Sequence, residues 1–394
     1  VVTSPPYWGL RKYEGEQGAE PFGLEPTISL YIEHTVEILR EIRRILRTDG
    51  VVFWNIGDSY CTGARTVRTQ STNKVFDRAR FVAANCVPRN GQPEGLKPKD
   101  LCLIPARVAI AAQADGWWIR SLIIWAKPNP MPESCQDRPT DAYEHIIMLT
   151  KSERYYWDAD AVCEPVSHNT HLRISQDLAN QIGSDRAHGG AKTNGRMRAV
   201  IKGSTRKIAE AGSGIKANDS FESACILPVI TRNMRNVWTF PTQPYKGAHF
   251  ATFPEELPRR CILAATSERG CCASCATPYV RVTAPVKTSG KSWNGDDLKS
   301  QGVNRGELQE YAGAKFYQNY APPQTLGWKP GCRCFPGESI RPEPCLVLDP
   351  FGGSGTTARV AVELNRRAVS MDLAYHDHAE KRTRNVQRRL TCAG

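Results

Sequence analysis

The chain has 394 residues and a mass of 43.8 kDa, with 40% hydrophobic and 23% charged residues, enough for two to three domains or one large domain carrying insertions. Its longest apolar runs, such as Ser121–Ala126 and Cys345–Leu348, fall far short of the roughly 20 residues that span a bilayer, which argues against a transmembrane protein. A net charge of +12 with a pI near 9.1 attracts polyanions such as nucleic acid or an anionic membrane, without choosing between them.

The chain opens on Val1-Val2, without an initiator methionine and without a basic-then-apolar leader. It therefore reads as a fragment or a clipped start with no signal peptide. Val1–Val2 is also the first of six short apolar runs that predict buried strands. Val51–Trp54, Ser121–Trp125, His145–Leu149, Cys345–Leu348 and Ala368–Met371 follow. Helical patterns alternate with them. Ser29–Arg47 carries Leu30, Val36, Ile38, Leu39, Ile42, Ile45 and Leu46 at mostly helical spacing and ends at Asp49-Gly50. Pro105–Ala114 is a second helix, stopped by Asp115-Gly116. Thr252–Ala265 is a third, with Thr252 as the expected cap and Glu255 at capping-box spacing, although Pro258 moves the regular helix toward itself. Thr357–Leu364 is a fourth. Strands alternating with helices predict an open α/β sheet.

Three polar stretches break this rhythm. Residues 165–235 hold 11 Lys/Arg against 5 Asp/Glu, and residues 60–100 hold 8 against 3. Composition alone allows both to be solvated loops, but the first carries half of the excess charge. The third, Pro285–Gln324, lies between two cysteine pairs.

Two motifs carry chemistry. Leu346-Val347-Leu348-Asp349-Pro350-Phe351-Gly352-Gly353-Ser354-Gly355-Thr356-Thr357 runs from an apolar strand through a Gly-rich turn into a helix. That is the pattern of a nucleotide-type cofactor site at the carboxyl end of a parallel strand. It is neither a P-loop, lacking Gly-Lys-Ser/Thr, nor the G-x-G-x-x-G fingerprint. Asp372 follows Gly353 by 19 residues, at the end of the next apolar run, where an acid can accept ribose hydroxyls. The second motif is Thr3-Ser4-Pro5-Pro6-Tyr7-Trp8. Two prolines cannot continue a ladder or enter a helix interior. The Ser4 hydroxyl and the Pro5 carbonyl then offer two acceptors beside the Tyr7 ring, which suits a planar ring bearing an exocyclic amine. Alone, this motif would read as a rigid proline turn.

With Ser-Pro-Pro-Tyr first in the chain and the Gly-rich motif last, the two motifs resemble the exocyclic-amino DNA methyltransferases that use S-adenosylmethionine, in the permuted β class of that family. Ile123-Ile124-Trp125-Ala126-Lys127-Pro128-Asn129-Pro130, Arg138-Pro139-Thr140 and Tyr143-Glu144-His145 extend the resemblance. So does His249-Phe250-Ala251-Thr252-Phe253-Pro254-Glu255-Glu256-Leu257, which is similar to the family's helix-forming cofactor motif. The family usually has a strand and an acidic turn upstream of Ser-Pro-Pro-Tyr, whereas this chain starts inside that strand. The resemblance implies a Rossmann-like methyltransferase fold with permuted motif order and a basic target-recognition insert, and the cysteine pairs add a small Cys-rich zinc-knuckle insert. The implied segments are 1–164 as the catalytic half, 165–235 as the target-recognition insert and 236–270 as the cofactor-binding helix segment. Residues 271–335 are the Cys-rich insert and 336–394 the cofactor-binding half. It implies Ser4, Pro5, Pro6 and Tyr7 as catalytic residues. Thr252, Phe253, Pro254, Asp349, Phe351, Gly352, Gly353, Ser354, Gly355, Thr356 and Asp372 are implied to hold S-adenosylmethionine. Ser-Pro-Pro-Tyr in place of Asp-Pro-Pro-Tyr leans toward cytosine N4 over adenine N6. Double-stranded DNA is the implied partner, in a bacterial or phage-infected cytoplasm, with room for a homodimer and a cognate restriction endonuclease. The competing readings are an RNA-directed or a catalytically inactive relative.

The 14 cysteines are too sparse for a secreted disulfide scaffold and read as a reducing compartment. Cys272-x-x-Cys275 with Cys332-x-Cys334 offers four thiolates for a structural Zn²⁺, with Cys271 as a substitute ligand. Reduced thiols in a loop are the plainer alternative.

Overall fold

The computed structural model describes residues 1–9, 22–61, 95–165, 231–243, 252–283, 324–334, 342–373 and 375–388. Most of the 165–235 stretch, including Arg196 and Arg198, lies outside the described residues, as do 62–94, 284–323 and His249-Phe250-Ala251.

The central sheet follows from apolar runs that the sequence spaces widely. β1 (Val2–Thr3) pairs in parallel with β2 (Val51–Ile56), with Val2 opposite Phe53. β2 is buried along its whole length, as expected of an interior strand covered on both faces. β3 (Trp118–Ala126) and β4 (Tyr143–Thr150) form a long antiparallel pair, and β4 inserts between β2 and β3. The sheet is therefore mixed rather than uniformly parallel. A bulge between Ile119 and Ser121 shifts the β3 register. β5 (Glu164–Pro165) and β6 (Thr231–Arg232) make a separate short pair. β7 (Val237–Thr239) runs parallel to β3 and closes the order β1-β2-β4-β3-β7. β8 (Val280–Thr283) and β9 (Thr325–Lys329) form another two-stranded sheet. β10 (Leu346–Asp349) pairs in parallel with β11 (Arg367–Ser370). β10 lies beside β1, where Thr3 Oγ1 donates to Asp349 Oδ1 at 2.6 Å in a buried contact.

Helices cover these strands. α1 (Ile28–Ile45) is capped by Thr27, whose hydroxyl accepts the Leu30 N–H. It buries Tyr31, Thr35, Leu39 and Ile42, a stripe at helical spacing. α2 (Ile104–Ala114) follows Leu103, which sits in the left-handed region at φ 58° and lends no side-chain cap. Asp58 supplies the cap instead, its Oδ1 accepting the Ile104 N–H at 3.0 Å. α3 (Glu256–Ala265), α4 (Thr356–Glu363) and α5 (His376–Arg384) complete the described helices. None of the described helices is long and apolar enough to cross a membrane.

One expectation needs correction. Thr252 does not cap α3, which starts after Glu255 and has no side-chain cap bond. Pro258 then falls in the first turn, where a missing N–H costs nothing. Glu255 is drawn away by ion pairs with Arg359 and Arg382, each at 3.1 Å.

The chain divides into two compact units. The first is Val1–Ala161 with Arg235–Val280 and Trp328–Gly394, and it contains every candidate site residue. The second is Val162–Met234 with Arg281–Gly327. Its described residues include the β5–β6 pair, with an Arg232–Glu164 ion pair at 3.2 Å.

Candidate active site

β1 ends at Thr3 because Pro5 and Pro6 bring no N–H to a ladder. The Pro6 carbonyl is taken by Tyr31 Oη at 3.0 Å, from the buried face of α1. Among the described residues no hydrogen bond reaches the Pro5 carbonyl. Ser4 Oγ donates to Tyr7 Oη at 3.2 Å, and Tyr7 Oη donates to Glu144 Oε2 at 2.7 Å. Asn55 Nδ2 lies within 2.9–3.3 Å of Ser4 Oγ, Tyr7 Oη and Glu144 Oε2, so its two protons hold all three acceptors in place. Lys127 Nζ pairs with the other Glu144 oxygen at 2.5 Å and sits 4.7 Å from the Trp125 ring centroid. Four chain segments thus meet at one hydroxyl-to-carboxylate chain. Gly57 completes it, since a Cβ there would come within 2.7 Å of Tyr7 Cε2 and push the ring aside.

Residues close in sequence to Asn55 and Glu144 do different work. Asp58 turns to the α2 N-terminus, and burial raises its pKa despite two backbone donors. His145 is half-buried, and burial lowers its pKa.

The Gly-rich turn follows β10. Asp349 is fully buried; burial raises its pKa, opposed by the hydroxyls of Thr3 and Thr357. Its Oδ2 is buried and has no hydrogen-bond partner. Such an atom fits a donor from a bound ligand. The Gly352 N–H donates to Met371 O at 2.7 Å, and a Cβ on Gly352 would collide with Ser370 Oγ at 1.8 Å. Gly355 caps α4 at φ 77°, a conformation that glycine adopts without penalty. Asp372 accepts the Gly353 N–H at 2.8 Å and the Tyr375 N–H at 3.0 Å, so its carboxylate braces the turn. Ser354 Oγ and Thr356 Oγ1 each accept from Arg382 Nη1 at 2.9 Å. Their hydroxyls therefore face α5, and their main-chain N–H groups are what they can offer a ligand. Phe351 stacks on Phe22 at 5.7 Å, and Phe22 stacks on Tyr31 at 5.2 Å. This aromatic column links the turn to the helix that holds Pro6. Thr252, Phe253 and Pro254 precede α3, and the neighbouring Glu255 ties that segment to α4 and α5.

The structure brings Cys272, Cys275, Cys332 and Cys334 together, with all four Sγ atoms within 4.8 Å of one another. Cys271 is not part of this group. Its thiol faces Cys345 and its backbone bridges Glu343.

Asn55, Glu144, Lys127 and Gly57 belong to the site without a motif of their own in the sequence. One signal for Asn55 is visible, an amide inside the otherwise apolar run Val51–Ile56. Glu144 and Lys127 lie in segments that carry the family resemblance, but nothing local marks them as partners of Ser4.

A family model described as DNA methylase matches residues 1–273 and 340–381. The Type II methyltransferase M.Cfr9I of Citrobacter freundii is 40% identical over 266 residues, covering 68% of this chain and 65% of that protein. The Type II methyltransferase M.SfiI of Streptomyces fimbriatus is 32% identical over 391 residues, covering 95% of this chain and 83% of that protein. The solved PvuII DNA methyltransferase, cytosine-N4-specific, superposes with a TM-score of 0.43 at 14% identity, covering 99% of this chain and 80% of that one.

Proposed function

This chain belongs to the DNA methylase family of exocyclic-amino methyltransferases, and from that premise we propose that it moves a methyl group from S-adenosylmethionine to cytosine N4 in double-stranded DNA. The observation that carries the reading is the chain Ser4 Oγ–Tyr7 Oη–Glu144 Oε2, set on a strand bonded to Asp349 at the Gly-rich turn.

S-adenosylmethionine supplies an electrophilic methyl group on a sulfonium. The residues that would hold it are the orphaned Asp349 Oδ2, the main chain of Gly352–Thr356, Asp372 and the Thr252–Pro254 segment. Ser4 and the Pro5 carbonyl act on the target base. A cytosine amine is a poor nucleophile because its lone pair is delocalised into the ring. Accepting a hydrogen bond from each amino hydrogen favours a pyramidal nitrogen with an available lone pair. Orientation of this kind supplies roughly 7–11 kcal/mol in favourable systems. The methylated nitrogen must shed a proton, and Ser4 can pass one through Tyr7 to Glu144 as each hydroxyl exchanges its hydrogen. Lys127 and Asn55 fix the carboxylate that ends this path. Tyr7 presents a ring to a base swung out of the duplex.

Residues 165–235 are assigned as the target-recognition insert on their basic charge. The same chemistry would serve adenine N6, and Ser4 in place of Asp favours cytosine. A homodimer and a cognate endonuclease remain part of this reading. Mass spectrometry of nucleosides from DNA and RNA incubated with the chain and labelled S-adenosylmethionine tests it. N4-methyldeoxycytidine is expected. N6-methyldeoxyadenosine, or label in RNA alone, would replace the assignment.

A further inference from the structure

We propose that Cys272, Cys275, Cys332 and Cys334 bind one structural Zn²⁺, which locks a two-part knuckle onto the turn before β2 and onto the segment entering β10. The four thiols come from positions as far apart as 62 residues, yet their Sγ atoms lie within 4.8 Å of one another. A tetrahedral Zn²⁺ with bonds of about 2.3 Å needs sulfur–sulfur edges of roughly 3.8 Å. Small side-chain adjustments close that difference. Three of the four thiols fall in residues 274–339, outside the segments matched by the family model.

The backbone around the thiols is shaped for a metal. Ala276 follows Cys275 in the left-handed region at φ 56°, and its N–H donates to Cys272 O at 2.8 Å. The Cys272 N–H donates to Thr277 O at 2.9 Å. The first pair of cysteines therefore sits on a tight turn closed by these two backbone bonds. Cys275 Sγ lies 3.2 Å from Thr277 Oγ1, a hydroxyl able to donate to the sulfur once a metal displaces the thiol proton. The second pair docks closely. A Cβ on Gly331 would come within 2.4 Å of Pro278 O, so only glycine lets Cys332 approach the first turn.

The knuckle is fastened on two sides within the first unit. Arg47, at the end of α1, donates to Cys275 O at 2.5 Å and pairs with Asp49 at 2.8 Å. Tyr156 Oη donates to Tyr279 O at 3.2 Å while the Tyr156 N–H donates to Asp49 O at 2.9 Å. On the other side Cys271 and Glu343 exchange both backbone bonds, at 2.8 and 2.9 Å, two residues before Cys345. The metal thus joins segments that lead to the strand of Asn55 and to the strand of Asp349. Four thiolates leave no open position for water, so the ion takes no part in methyl transfer. Together with the β8–β9 pair it holds the chain before Val280 close to the chain after Lys329, offsetting the entropy of joining positions so far apart in sequence.

Elemental analysis of the chain purified without a metal-affinity tag should find one equivalent of zinc. The double variant Cys332→Ser/Cys334→Ser should lose it, and Cys271→Ser should keep it. If the double variant fails to fold, Co²⁺ added to metal-stripped wild type should give the absorption of a tetrahedral tetrathiolate site, and chelation should lower the Tm. Substoichiometric metal of every kind with the four thiols freely titratable in the folded chain would overturn the site. Disulfides within the four, or full zinc retention by the double variant, would overturn it equally.

Discussion

The Ser4 end and the Asp349 end of the first unit are built on opposite plans. At Ser4, side chains from β2, β4 and the segments that follow β1 and β3 bond one another, linking Ser4, Tyr7, Asn55, Lys127 and Glu144. At Asp349, one local strand–turn–helix does most of the work through its main chain, and one buried carboxylate oxygen is left without a partner. The difference teaches which end is assembled from distant side chains and which from one local segment. Each end keeps one buried acceptor without a partner, Asn55 Oδ1 in the Ser4 network and Asp349 Oδ2 at the turn, so the two ends differ in how their donors are supplied and not in whether an acceptor is left open.

Substitutions can separate the two ends. The largest effect is expected at Ser4. Ser4→Ala removes one positioned acceptor and should cut methyl transfer by about 10²–10³-fold, by analogy with other single transition-state hydrogen bonds. Glu144→Gln keeps the shape but removes the acceptor that ends the path and leaves Lys127 without its counter-charge. Transfer should fall by about 10²-fold, the low end for a positioned acid–base group, with cofactor affinity unchanged in calorimetry. Asp372→Ala frees the Gly353 and Tyr375 N–H groups and should weaken S-adenosylmethionine binding by about tenfold, some 1.4 kcal/mol, with near-normal transfer once the cofactor saturates.

The smaller effects are on stability. Burial raises the Asp349 pKa above its unfolded value. The native state therefore holds the proton more tightly, and stability should rise as pH falls through the folded pKa. Asp349→Asn should flatten that rise and stabilise the ligand-free chain at neutral pH, while weakening cofactor binding. His145 works in the other direction. Its pKa is lowered by burial, so the unfolded state takes the proton first. Its contribution is present above the unfolded pKa near 6.5 and is lost as pH falls through it. Thermal melts from pH 8 to 5 should show a shallower decline for His145→Gln.

The same contrast explains what could be read from the residues alone. The Asp349 turn is legible because strand, glycines, helix and acid lie within 27 residues, from Leu346 to Asp372. The six apolar runs appear as strands, and their ends move by only a few residues. The Ser4 network was legible only in its first four residues. Asn55 and Glu144 are 51 and 140 positions away from Ser4 and meet it only because β2 and β4 are neighbours. An antiparallel β4 between β2 and β3 has no local signature. The α3 cap departs from its capping-box pattern because Glu255, at the right spacing, pairs instead with Arg359 and Arg382, which no local pattern reveals.

The most direct test of the division between the two ends is a matched pair of titrations on Ser4→Ala and Asp372→Ala, measuring cofactor Kd by calorimetry and single-turnover methyl transfer at saturating cofactor. Ser4→Ala should keep a near wild-type Kd and lose transfer, and Asp372→Ala should do the reverse. A Ser4→Ala protein that transfers methyl at the wild-type rate, or whose loss is wholly explained by weaker cofactor binding, would contradict the account.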